Sequence, residues 1–259
     1  MNNDLVSIIM PSYNCGKYVE QTIRSVQAQT YTNWEIIFMD DCSTDDTIRR
    51  VSELQEKDSR IHLFQNSCNS GAAVSRNNAL RESKGRWIAF LDSDDQWEPT
   101  KLEKQVRFME ENGYSFSYTE YQEMDSEGVL TGVVITGPKH VTKRGMYHFC
   151  WPGCLTVMYD ASVVGLMQIE DIKKNNDYAM WLQVIKKADC HLLPESTAYY
   201  RRHSGSISSH SYLTMTMWHY RLFRDAMQLS APYSVFCTLR NLIFGTLKKI
   251  VYVKHYTVR

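Results

Sequence analysis

Two acidic clusters hold the residues whose types and spacing suit chemistry. Asp92-Ser93-Asp94-Asp95 places three carboxylates within four positions, and Asp40-Asp41 runs into Cys42-Ser43-Thr44-Asp45. Aspartates that close repel one another unless some are protonated or a cation sits among them. Magnesium or manganese, held by one or two carboxylates plus ligand phosphates, matches such a set. Two common phosphate devices are missing. The chain has no G-x-G pair, hence no dinucleotide fingerprint, and no G-x-x-x-x-G-K-[ST] loop. A phosphate ligand would therefore need a metal or side chains to neutralise it. An isolated D-x-D reads as a solvated strand end, since short acidic motifs recur by chance.

The elements that must position these acids reverse that reading. Val6-Ser7-Ile8-Ile9-Met10 reads as a buried strand and ends in Pro11-Ser12-Tyr13-Asn14. Trp34 to Met39 is a second strand ending in the Asp40 cluster, Ile61 to Phe64 a third, and Trp87 to Leu91 a fourth ending in Asp92. Helical spacing appears between them, around Tyr18 to Val26, over about 44–57 and over about 71–83. Ser43 with Asp46, and Thr100 with Glu103, have the spacing of capping boxes. Strand and helix in alternation predict an α/β fold with a mostly parallel sheet flanked by helices. Ligands bind such sheets outside the carboxyl ends of the strands, so three polar strand ends should share one crevice.

Beyond about residue 113 the pattern loosens. Tyr114 to Tyr121 alternates like a strand, 128–137 reads as hairpin or loop, Asn176 to Lys187 as a helix, and His191 to Tyr200 as extended chain. From about Tyr212 the chain reads helical, broken at Pro232. The expected organisation is a body over 1–208, with the change of pattern soon after residue 100. A basic amphipathic helical extension follows over 209–259.

The segments VSIIMPSYN, MDDCSTDDT, SGAAVSRNNAL and LDSDDQWEP, in that order and spacing, resemble the family 2 glycosyltransferases of the GT-A fold. Asn176-Asp177-Tyr178-Ala179-Met180-Trp181-Leu182 resembles the family's E-D-x-x-x-W segment, and residues 193–208 its closing stretch, so the resemblance spans roughly 5–208. It implies an inverting, metal-dependent transferase of bacterial polysaccharide type, with a nucleotide-binding half over about 1–100 and an acceptor half over about 101–208. Asp41 then corresponds to the carboxylate that binds the uracil ring, and Pro11 and Tyr13 to the nucleobase pocket. Arg76 falls where the family has an arginine near the nucleotide. The D-x-D match puts Asp92 toward the ribose and Asp94 on the metal, with Ser93 and Asp95 beside them. Asp177 matches the general base that takes the acceptor's proton.

One departure stands out. The acid that normally precedes the base is Asn176 here, which leaves Glu170 or Asp171 upstream as alternative acids and weakens any tuning of Asp177 by a like charge. A nucleotide-sugar-binding partner or regulatory subunit that has lost catalysis is the alternative function. Trp181 sits at core spacing with Val184 and Ile185. His203 could approach the metal or diphosphate, or lie in a surface loop. Arg201 and Arg202 could contact diphosphate or be exposed.

Lysine plus arginine and aspartate plus glutamate each number 29, so the net charge is zero, which argues against a general nucleic-acid binder. That zero conceals an asymmetry. Residues 212–259 hold seven basic side chains against Asp225 alone, a net +6, which leaves −6 on 1–211. Phe236, Leu239, Ile243, Leu247 and Ile250 recur there at helical spacing. Such a helix can lie on an anionic bilayer, pack on its own domain or form a dimer contact. Seven scattered cysteines without a C-x-x-C pair, and no basic-then-apolar leader, read as a cytoplasmic protein, peripheral at most on the inner face of the membrane. The expected partners are a UDP-sugar donor and a saccharide or lipid-linked saccharide acceptor. The oligomeric state is left open.

Overall fold

The computed structural model describes residues 3–172, 174–202 and 212–257. Four parallel strands form its nucleus: β1 (Val6–Ser12), β2 (Trp34–Asp40), β3 (Ile61–Gln65) and β4 (Trp87–Phe90), in spatial order β4-β1-β2-β3. Every residue of β1 and β2 is buried, as expected of parallel strands covered on both faces. Side chains alternate between the two faces. Val6, Ile8, Met10, Ile36 and Phe38 pack under α1 (Val19–Gln27), α2 (Thr47–Gln55) and α4 (Lys101–Asn112). Ile9, Ile37, Ile88 and Phe90 face α3 (Ala72–Glu82) and α7 (Asn176–Val184). α4 stops at Gly113, whose φ of +67° gives the left-handed turn that side chains resist.

The sheet continues beyond β4 through β9 (Met158–Asp160), β6 (Phe116–Met124) and β7 (Leu130–Ile135), all antiparallel neighbours. β10 (Cys190–Arg201) runs parallel to β6 and also pairs with β5 (Gln96–Trp97), which returns the chain to the Asp92 turn. The architecture is therefore the expected mixed α/β sheet, mostly parallel at its centre.

Local details differ from expectation. Neither Ser43 nor Thr100 caps a helix through its side chain. α2 starts after Asp46, Ser43 Oγ accepts the Asn14 amide, and the Thr100 hydroxyl donates to Glu98. A contact to the distant Asn14 uses the Ser43 hydroxyl, and a local turn uses that of Thr100. The α7 helix ends at Val184, short of Lys187. The C-terminal part comprises α8 (Tyr212–Arg221), a π-helical turn (Leu222–Ala226) and α9 (Ala231–Val251), with Pro232 in the first turn of α9. It ends in a strand, β11 (Val253–His255), paired antiparallel with β7. Leu222, Phe223 and Cys237 join the core beside α7, so the extension packs on the body. No helix among the described residues is long and apolar enough to cross a membrane.

Candidate active site

The carboxyl ends of β1, β2 and β4 meet as the alternation requires. The Asp41 amide donates to the Ser12 carbonyl at 2.8 Å, tying the first two ends together. Between them lies a cavity of about 120 Å³, lined by Pro11, Tyr13, Asp41 and Asp92 together with Ser12, Ala72 and Ser75. Four residues picked from three sequence segments thus share one space.

Asp41 is buried and held from three directions. Its Oδ1 accepts Asn66 Nδ2 at 2.7 Å and the Ser70 amide at 2.8 Å; its Oδ2 accepts the Gly71 amide at 2.7 Å. Gly71 has φ +87°, a conformation costly for any residue with a Cβ, and it leads into α3. Two of these three donors are backbone amides just before α3. Each carboxylate oxygen offers about two acceptor sites, so Oδ2 can also take a ligand N–H.

The Asp92 turn is braced from behind. The Ser93 carbonyl accepts from Cys15 Sγ at 3.1 Å and Thr22 Oγ1 at 3.0 Å, which makes Ser93 an anchor of the turn. Asp95 is buried, with Oδ1 accepting the Arg201 amide at 2.8 Å and Oδ2 unpaired. Burial, then the charges of Asp94 and Asp92, pushes its carboxyl well above the usual range. Arg201 is buried too: Nε donates to the Asp94 carbonyl at 2.8 Å, Nη2 to Gln21 at 3.0 Å, and the guanidinium lies 4.6 Å from the Tyr18 ring centre. It is not an exposed cation but a buried strut under the acidic turn. Arg202 is exposed and pairs with Glu123 at 3.2 Å. His203 lies outside the described residues.

Among the described residues no three His, Cys, Asp or Glu side chains converge as a complete metal cage. The donors present are carboxylates crowded in one turn, including the unpaired Asp95 Oδ2. That set fits a hard divalent ion that keeps water and phosphate oxygens as its remaining ligands.

The candidate base sits in the first turn of α7. The Asp177 carboxylate is partly exposed. The adjacent Asn176 accepts a hydrogen bond from Arg76 Nη1, while Arg76 Nη2 donates to Asp92 Oδ1 at 2.5 Å. Arg76 is 6% exposed, so one buried guanidinium joins the Asp92 turn to the base helix. Glu170 is exposed, and Asp171 lines a different cavity. Trp181 is fully buried, edge-on to Phe90 at 5.0 Å between centres, and acts as core rather than site.

Sequence reasoning missed Asn66. It links Asp41 to Ser75 and accepts from Asn78, so it organises the pocket wall. The signal was there: Asn66 stands just past the end of β3, a fourth polar strand end. Cys150 and Cys154 behave as small packing residues, and all seven cysteines are free thiols.

An acidic crevice thus lies at the carboxyl ends of the parallel strands, and Arg76 links it to the helix of Asp177. A family model described as Glycosyl transferase family 2 matches residues 7–153. A putative teichuronic acid biosynthesis glycosyltransferase of Bacillus subtilis, TuaG, is 43% identical over 209 residues, 80% of this chain and 83% of that protein. The Escherichia coli UDP-Glc:alpha-D-GlcNAc-diphosphoundecaprenol beta-1,3-glucosyltransferase WfaP is 37% identical over 249 residues, 95% of each chain. In fold, the chain resembles residues 1–349 of S. aureus TarS in complex with UDP-GlcNAc, with a TM-score of 0.69 at 22% identity, covering 92% of this chain and 71% of that one. The chain belongs to glycosyltransferase family 2 and is a glycosyltransferase.

Proposed function

We propose that this enzyme transfers a sugar from a UDP-sugar to a hydroxyl of a lipid-linked saccharide, with inversion and with a divalent metal, in bacterial surface polysaccharide assembly. The observation that supports it best is the shared cavity, in which Asp41 and Asp92 stand together and Arg76 links Asp92 to the helix of Asp177. Asp41 Oδ2 takes the uracil N3–H, which cytosine lacks. Pro11 and Tyr13 flank the base, and Asp92 faces the ribose. Asp94 would hold the metal, which when bound offsets charge on the departing diphosphate.

Asp177 removes the acceptor proton as the hydroxyl oxygen attacks the anomeric carbon from the side opposite the diphosphate. A carbon–oxygen bond forms, the bond to UDP breaks, and an α-linked donor yields a β-linked product. Positioning and preorganised charge supply most of the acceleration. The name of WfaP, which describes transfer from UDP-Glc to a diphosphoundecaprenol-linked sugar, supports the donor and acceptor classes.

The enzyme works peripherally at the cytoplasmic face of the membrane. α9 supports this: Phe236, Leu239, Ile243 and Ile250 are 49%, 54%, 66% and 74% exposed on its outer side, near Arg240 and Lys249. Nothing specific in the structure favours a binding-only subunit. The deciding experiment is thermal shift with a panel of nucleotide sugars, with and without Mn²⁺, followed by transfer assays with the stabilising donor. UDP-sugars should stabilise the protein only with metal; stabilisation by GDP- or CDP-sugars alone would refute the donor assignment.

A further inference from the structure

A second cavity, of about 380 Å³, opens between the segment before α7 and the α8 region. Asp171, Lys174, Trp218, Arg221 and Asp225 line it. Lys174 stands three residues before Asp177, so their Cα atoms are at most roughly 11 Å apart along the chain. The opposite wall comes from α8 and the π-helical turn, which a short loop separates from α9. The cavity thus adjoins the base helix and is built from different residues than the donor cavity.

Its lining is a mixed set. The Trp218 indole supplies a flat apolar surface, with Lys174 Nζ 5.3 Å from its ring centre. Two cations and two carboxylates surround it. Sugar rings have apolar C–H faces that pack on indole and hydroxyls that bond to carboxylates, while phosphates seek Lys and Arg. A purely apolar ligand would leave these four charged groups without partners.

We infer that this cavity is the acceptor site and holds a glycosyl diphosphate, its sugar on Trp218 and its diphosphate toward Lys174 and Arg221. The inference rests on the proposed role of Asp177. A hydroxyl must reach that carboxylate from outside the donor cavity, because the attack comes opposite the leaving group. The second cavity meets that demand, and its α8 wall leads to the apolar face of α9, where a lipid tail would lie.

The test uses the full chain and alkyl diphosphates of N-acetylglucosamine, glucose and galactose as probes, with UDP plus Mn²⁺ as the donor-side control. Isothermal titration should show the wild type binding at least one alkyl glycosyl diphosphate. Trp218→Ala and Arg221→Glu should each weaken that binding about tenfold or more, with the dissociation constant for UDP and the melting temperature unmoved. Trp218→Phe, which keeps a flat ring, should recover most of it. Wild-type binding to none of the probes, or equal binding by both variants, overturns the acceptor assignment. Failure of the wild type to bind UDP would instead overturn the donor reading and leaves the two results distinguishable.

Discussion

Arg76 and Asn176, a hundred residues apart, are joined by a hydrogen bond from the guanidinium to the side-chain oxygen of the asparagine. Arg76 is almost wholly buried and has Asp92 as its ion-pair partner. Because Asn176 accepts without adding charge, the positive charge of Arg76 is shared between Asp92 and the nearby Asp177. Restoring the acid typical of the family should therefore have a measurable cost. In Asn176→Asp the new carboxylate competes for Arg76 and repels Asp177. The acid limb of the kcat/KM profile should move to higher pH while UDP binding is kept. An unshifted limb would show that Asn176 does not influence the base.

Removal of Arg76 should be far more damaging. Arg76→Ala leaves Asp92 without its buried partner and Asn176 with an unpaired oxygen. Breaking a fully buried pair on one side costs about 3–5 kcal/mol, and water reaching the 35%-exposed Asp92 side chain offsets part of that here. The expected outcome is a clear fall in melting temperature together with loss of UDP binding. An unaltered melting curve would contradict the bridging role.

The two acidic centres should separate cleanly by experiment. Asp177→Asn removes the base while keeping shape, so turnover should fall at least about a thousandfold with the UDP dissociation constant near wild type. Asp94→Ala should abolish both transfer and the metal-dependent part of UDP binding. Near-normal turnover in Asp177→Asn would reopen the base assignment.

Asp41 offers a test of nucleobase choice. In Asp41→Asn the carboxamide keeps one acceptor but presents an N–H donor, which suits the cytosine ring nitrogen better than uracil N3–H. UDP affinity should fall at least tenfold, with CDP gaining relative to UDP in competition titrations. Equal losses for both nucleotides would show that Asp41 only holds the Ser70–Gly71 loop.

His219 gives a pH dependence with a definite sign. Burial is the main cause of its depressed pKa; Asp177 and the Met215 carbonyl oppose it. The ring bonds the Met215 carbonyl at 2.8 Å and packs edge-on to Tyr178, the neighbour of the base. The unfolded chain takes up a proton near pH 6.5 whereas the folded ring resists it. The stabilisation is full above about pH 6.5 and declines as pH falls below it. Melting temperatures measured downward from about pH 7.5 should drop more steeply for wild type than for His219→Gln.

The outer face of α9 should bind anionic bilayers. Vesicles containing phosphatidylglycerol should co-float with the protein, less so in high salt, and purely zwitterionic vesicles should bind weakly. Leu239→Glu with Ile243→Glu removes two apolar contacts of about 1.5–3 kcal/mol each and should abolish flotation. Undiminished flotation would point to another surface.

Much of this was legible along the chain. Apolar runs that stop at acids, separated by helical spacing, require a parallel sheet whose carboxyl ends converge, because crossover connections return every strand in the same direction. Pro11, Asp41 and Asp92 therefore had to meet, whatever the rest of the chain did. Other features depend on contacts that local spacing does not encode. By sequence Arg201 could contact diphosphate or be exposed, yet pairing of β10 with β5 carries it under the Asp92 turn, where backbone oxygens and Gln21 hold it. α9 was amphipathic by composition, but tertiary packing chose which side is covered: Asn241 bonds Tyr178 on the inner side and Ile243 is left outside. The sequence by itself determined the sheet and its acidic edge, since these follow from periodicity and chirality. The tertiary structure alone decided which cations are buried, how Asn176 is used and where the second cavity opens, because each depends on residues that meet only after distant segments pack.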